Sequence, residues 1–286
     1  MNSVQELYLE GQSLLKKVPN PPLEAKILIL KALGLSEESF YSYPERSVSK
    51  NKRMEFLRLV SKRVEGMPLA YVIEEKEFWS IPFKVFPGVL IPRPETELLV
   101  EKVIELSSGR KELIADIGTG AGNIAVSLAK ELPKAEIVAT DVSQEALDAA
   151  EMNAARQKIA FITFVKGSLF EPLEKMQLQE KCDFVVSNPP YVSENEWWSL
   201  QEEIVKHEPK MALVAGEGGL EFIEKLIEGA PTFLKPGGYL CFEIGFGQRE
   251  KVLPLFGDKW DDPQCFDDLS GIPRLITARQ KILASL

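Results

Sequence analysis

The sequence predicts an α/β protein whose main domain has a mostly parallel seven-stranded sheet with an antiparallel C-terminal strand, preceded by a small helical bundle and a β-hairpin connector. Three observations predict it. Apolar residues recur at helical spacing up to residue 75, aromatic and β-branched residues mixed with Pro and Gly follow over 76–95, and strand and helix patterns alternate over 96–286. We therefore expect domains at 1–75 and 96–286, joined by a connector over 76–95.

The N-terminal bundle is predicted from two runs of apolar residues spaced three or four apart. These are Leu23, Ile27, Leu30 and Leu33, and then Met54, Leu57, Val60 and Val64. Pro, Gly and Ser interrupt the pattern at Pro19–Pro22, Gly34–Ser36 and Tyr43–Ser47, where helices can end or begin. The connector, EFWSIPFKVFPGVLIPRPE, suits a hairpin or an extended segment better than a helix.

The main sheet is predicted from seven apolar segments, most of them separated by helical patterns. The segments are Leu113–Ile117, Glu136–Thr140, Phe161–Lys166, Phe184–Ser187, Gly238–Ile244, Gln264–Asp268 and Arg274–Arg279. The last two are too close together for a helical crossover, so they should form an antiparallel pair.

Composition and charge exclude several classes of protein. The 286 residues are 45% hydrophobic and 27% charged, which indicates a globular protein, and a net charge of -9 argues against general attraction to nucleic acid. Three scattered cysteines and one histidine favour neither a disulfide framework nor a metal site. The N-terminus lacks a signal peptide pattern and no segment resembles a membrane span, so we expect a cytoplasmic protein without a membrane partner.

A glycine-rich turn follows the first predicted strand of the main sheet, and the helix Ile124–Lys130 follows the turn. Gly118, Gly120 and Gly122 allow the backbone to turn tightly and to approach a ligand closely. Such turns also occur in nucleotide-binding proteins and in purely structural turns. A dinucleotide fingerprint would need Gly or Ala at position 123, which is Asn123 here, and Asp116 suits a cationic ligand better than a phosphate. A ligand with an amino acid end is favoured, although Asp116 could also merely brace the loop.

Asp141 ends the next predicted strand about twenty residues beyond the glycine turn. At that place a carboxylate can accept hydrogen bonds from both ribose hydroxyls of an adenosine ligand. The alternative is that Asp141 caps the helix that begins at Ser143.

The tetrapeptide Asn188-Pro-Pro-Tyr191 follows a predicted strand at the edge where α/β sheets bind ligands. Because proline has no N–H, the carbonyls of Asn188 and Pro189 lack local donors and can accept from a substrate, as can the Asn188 side chain. An NH2 group on an sp2 carbon has two hydrogens, and two acceptors that bind both of them can direct the nitrogen lone pair at a methyl donor. The Tyr191 ring can then stack on the planar amide or base. Alternatively, the tetrapeptide only ends a strand and Tyr191 packs in a core.

Together these motifs resemble the protein-glutamine N5-methyltransferases that modify peptide chain release factors, the HemK/PrmC family. The resemblance covers nearly the whole chain. Its motifs are Phe78-Trp79, Leu90-Ile-Pro-Arg-Pro-Glu-Thr-Glu97, Asp116-Ile-Gly-Thr-Gly-Ala-Gly-Asn123, Ser187-Asn-Pro-Pro-Tyr191, Glu208-Pro209, Ala212-Leu213, and Glu243-Ile-Gly245 with Gln248. The resemblance implies a Rossmann-like class I methyltransferase domain and a helical N-terminal domain that helps to dock the release factor.

The resemblance also implies S-adenosylmethionine as methyl donor, S-adenosylhomocysteine as product, and the glutamine of a release factor's Gly-Gly-Gln loop as target. We expect a monomer with no stable nucleic acid partner. The expected catalytic residues are Asn188, Pro189 and Tyr191, and Pro190 joins them in holding the glutamine amide. The expected cofactor-binding residues are Asp116, Gly118, Thr119, Gly120, Ala121, Gly122, Asp141, Val142, Ser168, Leu169 and Asn188.

Three further features have more than one interpretation. Many relatives have an acidic residue where Ser168 stands; its hydroxyl can still meet adenine, and Leu169 can pack against the ring. Trp197-Trp198 can anchor a lid or simply pack. Arg93 and Glu95 should shape the mouth of the pocket, with a salt-bridged hinge as the alternative.

The chemistry requires alignment rather than a strong base, because a sulfonium methyl is already activated and proximity can contribute roughly 7 to 11 kcal/mol. His207 is therefore interpreted as a surface or packing residue. The rival functions are a nucleic-acid adenine or cytosine N-methyltransferase, which would need a basic groove, a nicotinamide oxidoreductase, and a binding protein without catalysis.

Overall fold

The computed structural model describes residues 3–282, and the contacts among them divide the chain into two compact units. Unit 1 contains the residues up to Glu75 and the segment Gln201–His207, and unit 2 contains Lys76–Leu200 and the residues from Glu208 onward. The first two residues of the expected N-terminal domain and the last four of the expected catalytic domain lie outside the described residues.

Unit 1 is a helical bundle. Its helices are α1 (Val4–Leu14), α2 (Pro21–Leu33), α3 (Glu37–Ser42), α4 (Lys50–Val64) and α5 (Leu69–Ile73). Ser3, Ser36 and Ser49 cap α1, α3 and α4 by accepting a backbone N–H of the first turn. Fully buried Leu28 and Phe56 lie in its apolar core. The predicted helical bundle is therefore present.

A buried ion pair supports unit 1. Arg63 Nε of α4 lies 2.5 Å from Glu24 Oε2 of α2, and Arg63 Nη1 lies 2.7 Å from Glu203 Oε2. The Arg63 and Glu24 side chains are both almost fully buried. Because a buried charge is costly without a partner, each side chain depends on the other.

The remaining elements alternate between strands and helices. In chain order they are β1 (Lys76–Phe78), β2 (Ile81–Phe83), α6 (Glu97–Leu106), β3 (Leu113–Ile117), α7 (Asn123–Glu131), β4 (Glu136–Asp141), α8 (Gln144–Arg156), β5 (Ile162–Lys166), α9 (Glu171–Lys175), β6 (Cys182–Ser187), β7 (Val192–Ser193), α10 (Glu194–Trp197), α11 (Glu202–His207), β8 (Val214–Gly216), α12 (Glu221–Phe233), β9 (Leu234–Glu243), α13 (Arg249–Val252), β10 (Trp260–Asp267) and β11 (Pro273–Gln280). Of these, α11 belongs to unit 1.

Seven strands of unit 2 form one sheet in the order β10-β11-β9-β6-β3-β4-β5. The pairs from β9 to β5 are parallel, and β11 is antiparallel to both of its neighbours. Alternate side chains enter the apolar clusters on the two faces of the sheet, as Phe184 and Val185 of β6 do. The predicted mostly parallel sheet with an antiparallel last strand is confirmed.

A β-hairpin begins unit 2, as predicted. Strands β1 and β2 pair with Phe78 opposite Ile81, which leaves a two-residue turn of Trp79 and Ser80. Both turn residues have positive φ, 52° and 54°, as a type I′ turn requires. The Trp79 backbone N–H donates to Glu97 Oε1 at 2.7 Å, which helps to hold a turn that usually contains Asn and Gly.

Within residues 3–282 no helix has both the length and the apolar character needed to cross a bilayer.

Candidate active site

The glycine turn between β3 and α7 is held against the neighbouring strand. Gly118, Gly120 and Gly122 have φ values of 75°, 56° and 80°, the left-handed region that favours glycine. The backbone N–H groups of Gly118 and Thr119 both donate to Thr140 O, at 2.9 and 2.8 Å. A Cβ at position 122 would lie 2.9 Å from the Ala150 Cβ, so this glycine also allows α7 and α8 to pack closely.

Asp116 is fully buried beside this turn, on the last-but-one position of β3. Its Oδ2 accepts a hydrogen bond from Thr119 Oγ1 at 2.6 Å. Its Oδ1 has no hydrogen-bond partner among residues 3–282. Burial raises the pKa of Asp116 to about 7, and the nearby Asp141 carboxylate adds to the rise, whereas the Thr119 hydroxyl and the Ala125 backbone N–H oppose it. A buried carboxyl group with an unused acceptor would gain from a cationic ligand nearby.

Asp141, the last residue of β4, connects the two loops of the site. Its Oδ2 accepts from Gly120 N and its Oδ1 from Ser143 N, both at 2.9 Å. Burial raises the pKa of Asp141, and these backbone donors counteract the rise. The alternative that Asp141 caps α8 is wrong, because the N-cap is Ser143, whose hydroxyl accepts from Ala146 N. Each carboxylate oxygen retains a second lone pair that can accept a ribose hydroxyl.

A cavity of about 320 Å³ opens at the carboxyl ends of the parallel strands. This volume is in the range of small-molecule sites. The expected cofactor residues on its wall are Gly118, Gly120, Asp141, Val142, Ser168, Leu169 and Asn188. Gly88, Leu90, Pro209, Met211, Ala212 and Phe222 complete much of the remaining wall.

The structure does not bring every expected cofactor residue to the cavity wall. Thr119 and Ala121 are buried behind it: Thr119 holds Asp116, and the Ala121 carbonyl accepts from Asn153 Nδ2 at 2.9 Å. Gly122 and Asp116 are likewise absent from the wall, although Ile117 and Gly118, which follow Asp116, lie on it. Thr119, Ala121 and Gly122 therefore shape the glycine turn from behind, whereas Asp116 lies directly beneath the wall formed by Ile117 and Gly118.

Leu169 lies on the wall with φ 48°, a left-handed conformation that is unfavourable for a bulky side chain. Its neighbour Ser168 also lies on the wall, and the Ser168 carbonyl accepts from Glu171 N at 3.1 Å. The strained backbone of Leu169 thus lies at a ligand-sized cavity, where such strain is often functional. Its side chain offers an apolar surface for a flat ring.

The Asn-Pro-Pro-Tyr segment begins directly after β6. Asn188 Nδ2 donates to Thr96 Oγ1 at 3.0 Å, and the Tyr191 hydroxyl donates to Glu243 Oε1 at 2.9 Å. No donor in the described part of the chain is paired with the Asn188 side-chain oxygen or with the Pro189 carbonyl. They are two of the three oxygens that the sequence motif predicts as acceptors, and their role toward a substrate stays a prediction.

Asn188 lines both the large cavity and a very small neighbouring cavity. The small cavity is bounded by Leu90, Arg93, Asn188, Pro189, Pro190, Tyr191, Ala212 and Leu213. Leu90, Asn188, Pro190 and Ala212 also line the large cavity. Asn188 thus stands between the expected cofactor space and the expected amide space.

Arg93 borders the small cavity and forms an ion pair. Its Nη2 lies 2.7 Å from Glu208 Oε1, and Glu208 Oε2 accepts from Ile91 N at 3.2 Å. Glu208 is buried, whereas Glu95 is exposed. Arg93 therefore borders the small cavity and pairs with Glu208, while its role at a pocket mouth or in a hinge stays a prediction.

Two other candidates have clear positions. Trp197 is buried and lies under Lys210, with the ammonium 5.8 Å from its ring centroid, whereas Trp198 is 77% exposed. This supports packing for Trp197. His207 ends α11 in unit 1, and its Nε2 is buried without a hydrogen-bond partner among residues 3–282.

Thr96, Glu208, Glu243 and Gln248 lie in motifs of the predicted family, but no role for these side chains was predicted from the sequence. Gln248 Nε2 donates to Tyr191 O at 2.9 Å and its Oε1 accepts from Gly245 N at 2.8 Å, which fixes the backbone after the two prolines. Only Glu243 carried a local signal, as a charged residue at the end of the apolar strand β9.

Family models match both parts of the chain. The model described as "PrmC N-terminal domain" matches residues 6–73, and the model described as "Methyltransferase small domain" matches residues 94–223. The second match contains the glycine turn, Asp141 and the Asn-Pro-Pro-Tyr segment.

Curated relatives are similar over most of the chain. A protein named release factor glutamine methyltransferase from Koribacter versatilis is 37% identical over 92% of this chain and 92% of its own length. Proteins of the same name from Coxiella burnetii and Geobacter sulfurreducens are each 38% identical, covering 94% and 92% of this chain and 96% and 91% of their own.

Among solved structures, the ribosomal protein L11 methylase from Lactobacillus delbrueckii subsp. bulgaricus has a TM-score of 0.51 and 23% identity. The match covers 69% of this chain and 84% of that one. At this identity the likeness shows a shared fold.

Proposed function

The chain belongs to the family of release factor glutamine methyltransferases, and on this premise we propose that it transfers a methyl group from S-adenosylmethionine to the side-chain amide nitrogen of a glutamine in peptide chain release factors. The observation that carries the proposal is the position of Asn188. Its side-chain oxygen is available as an acceptor between the cofactor-sized cavity and the small cavity of the Asn-Pro-Pro-Tyr segment. The proposed target within the release factor is the glutamine of its Gly-Gly-Gln loop.

The cofactor fits the residues of the large cavity. The unused Asp116 oxygen suits the positively charged amino end of the donor, and the left-handed glycine turn leaves open space where a Cβ at Gly118 or Gly120 would stand. The free lone pairs of Asp141 suit two ribose hydroxyls, and Val142, Ser168 and Leu169 would surround the adenine. When bound, S-adenosylmethionine supplies an electrophilic methyl group.

The chain's own residues would hold the amide nitrogen in place. An amide nitrogen is a poor nucleophile because its lone pair is delocalised into the carbonyl. Acceptance of its two hydrogens by Asn188 Oδ1 and the Pro189 carbonyl would fix the plane of the group, and Tyr191 would cover its face. Fixing the plane directs the remaining electron density along one line, and such alignment can contribute roughly 7 to 11 kcal/mol.

Unit 1 is proposed to help dock the release factor, as the match to the PrmC N-terminal domain supports. The proposal includes a monomeric, cytoplasmic enzyme without a stable nucleic acid partner, in keeping with the net charge of -9. The family of the relatives favours this reaction over methylation of a nucleic-acid base.

A methyl-transfer assay tests the proposal. Purified protein is incubated with radiolabelled S-adenosylmethionine and a release factor, and then with the same factor carrying alanine in place of the Gly-Gly-Gln glutamine. We expect label on the first factor and none on the second. Equal labelling of both would show that another group is the target.

Two substitutions separate the two halves of the site. Asn188→Ala should abolish turnover while cofactor affinity stays within about twofold, because Asn188 contributes only part of the cavity wall. Asp141→Ala should weaken cofactor binding first, since it removes the acceptor of Gly120 N and Ser143 N. The exposed Asn195 in α10 provides a matched control, and Asn195→Ala should retain full activity. A large loss of cofactor binding in Asn188→Ala, or unchanged affinity in Asp141→Ala, would contradict these assignments.

A further inference from the structure

Asn188 is the outer member of a hydrogen-bond chain that continues into the protein interior. Asn188 Nδ2 donates to Thr96 Oγ1 at 3.0 Å, and Thr96 Oγ1 donates to Glu243 Oε2 at 2.6 Å. The other Glu243 oxygen accepts from the Tyr191 hydroxyl. Thr96 is 1% exposed and Glu243 is 3% exposed, so water cannot replace either partner.

The donors of this chain can point in only one direction. A carboxylate has no proton to give, so the single Thr96 hydroxyl proton goes to Glu243. The Thr96 oxygen can then only accept, and it therefore selects the NH2 end of the Asn188 side chain. The carbonyl end, Oδ1, is left to face outward. The charge of Glu243 thus determines the orientation of the Asn188 side chain, through the hydroxyl group of Thr96.

Two hydroxyl groups and one cation counteract the cost of burying the Glu243 carboxylate. Burial raises its pKa, but the Thr96 and Tyr191 hydroxyls and the positive charge of Arg274 favour the carboxylate, while Glu95 opposes it. Burial, together with the charge of Glu243, also raises the pKa of the Tyr191 phenol, so Tyr191 keeps its proton and donates it. Both hydroxyl groups therefore stabilise the charged form.

We infer that Thr96 and Glu243 are positioning residues that keep Asn188 presenting a hydrogen-bond acceptor, and thereby select a substrate group carrying two N–H donors. This inference rests on the proposed amide methylation. If the Asn188 side chain turned over, its NH2 would face the NH2 of the substrate, and two donors would oppose each other. A structural role alone would require only that Thr96 fill its space.

The test compares Thr96→Val, which has nearly the same shape but no hydroxyl, with Thr96→Ser, which keeps the hydroxyl. Turnover of a release factor at saturating cofactor and the affinity for S-adenosylhomocysteine are measured for both. We expect Thr96→Val to lower kcat by on the order of 10- to 100-fold, the usual effect of one opposed or unpaired buried donor. Its affinity for S-adenosylhomocysteine should change by less than about twofold. Thr96→Ser should keep kcat within about threefold of the wild type.

Buried Thr277 of β11 provides a control for replacing an interior threonine by valine. It takes no part in the hydrogen-bond chain, and Thr277→Val should retain wild-type kcat. Wild-type kcat in Thr96→Val would overturn the inference. Equal losses in Thr96→Ser and Thr96→Val would also overturn it, because shape rather than the hydroxyl would then matter. Absence of transfer by the wild type would instead refute the proposed function.

Glu243→Gln is the second variant, which keeps the test decisive if Thr96→Val fails to fold. Its NH2 can donate to Thr96 and so reverse the chain. We expect wild-type kcat at saturating cofactor to fall as the pH is lowered through the pKa of Glu243, since a proton on Oε2 turns the acceptor of Thr96 into a donor. Glu243→Gln should have a low kcat that lacks this acidic limb. An unchanged acidic limb in Glu243→Gln would overturn the assignment of Glu243.

Discussion

Replacing Asp116 by asparagine should remove a large pH dependence from the stability of unit 2. Burial raises the pKa of Asp116 from an ordinary 3.8 to about 7. The folded state therefore holds a proton that the unfolded chain releases at a lower pH. The stabilisation is fully present below the unfolded pKa and is lost as the pH rises through the folded pKa, so the window extends from about 4 to about 7.

The magnitude follows from the difference between these two values. Each pH unit within the window changes the free energy of unfolding by about 1.4 kcal/mol. Other carboxyl groups interfere near pH 4, so the useful comparison runs from about pH 5.5 to about pH 8, where the loss from Asp116 is roughly 2 kcal/mol. Because asparagine does not titrate, Asp116→Asn should lack this component.

Urea unfolding of the cofactor-free protein across this pH range measures the effect. The difference in free energy of unfolding between the variant and the wild type should shift by roughly 2 kcal/mol in favour of the variant at the higher pH. Any constant cost of the new NH2 group cancels in this comparison. Parallel pH profiles for the two proteins would refute the assignment of the raised pKa to Asp116.

The same titration should appear in cofactor binding. A ligand with a cationic amino group favours the charged Asp116, so affinity for S-adenosylhomocysteine should rise as the pH increases toward 7 and beyond. With a pKa of about 7, the ionised fraction increases roughly eightfold between about pH 6 and pH 7.5, and the Kd should fall by a similar factor. Calorimetry of the wild type and Asp116→Asn checks this, and identical slopes would mean that Asp116 does not sense the ligand.

Three further substitutions test the scaffold. Ser80→Gly should stabilise the hairpin by about 1 kcal/mol in urea unfolding, because position 80 has positive φ; a loss of stability would contradict the type I′ turn. Gly122→Ala should lower both the melting temperature and the affinity for S-adenosylhomocysteine, since the new Cβ would lie 2.9 Å from that of Ala150; wild-type values for both would show that the turn can adapt. Arg63→Ala should cost about 3 to 5 kcal/mol of unfolding free energy because it leaves Glu24 buried without its partner; a cost below about 1 kcal/mol would show that Glu24 is readily hydrated or protonated.

The sequence predicted the sheet well because hydrophobic alternation and glycine turns are local signals. The strand Leu113–Ile117 was predicted with its observed bounds, and the final antiparallel pair followed from the short interval between its strands. The hairpin was predicted, but its turn was not, because Trp79 and Ser80 are unusual at positive φ. That turn depends on Glu97, which is distant in sequence.

The site was predicted less completely than the sheet because its polar contacts join distant segments. Asp141 illustrates the difference: the motif spacing suggested ribose binding, but the bonds from Gly120 N and Ser143 N could not be inferred from spacing. The pairing of Asn188 with Thr96 joins residues 92 positions apart. Such donors and acceptors become neighbours only in the folded protein. The direction of each hydrogen bond can therefore be assigned only from the structure.

Three adjacent parallel strands end near the groups on which the proposed chemistry depends. Strand β6 lies between β3 and β9, so Asn188 follows the central strand while buried Asp116 and Glu243 lie near the ends of its two neighbours. Asp116 keeps an unused oxygen beside the glycine turn, whereas both oxygens of Glu243 accept from hydroxyl groups. In the proposed mechanism, one buried carboxyl group is therefore available to a cationic ligand, and both oxygens of the other are used in orienting an amide. The strand that carries each group determines which partners it meets.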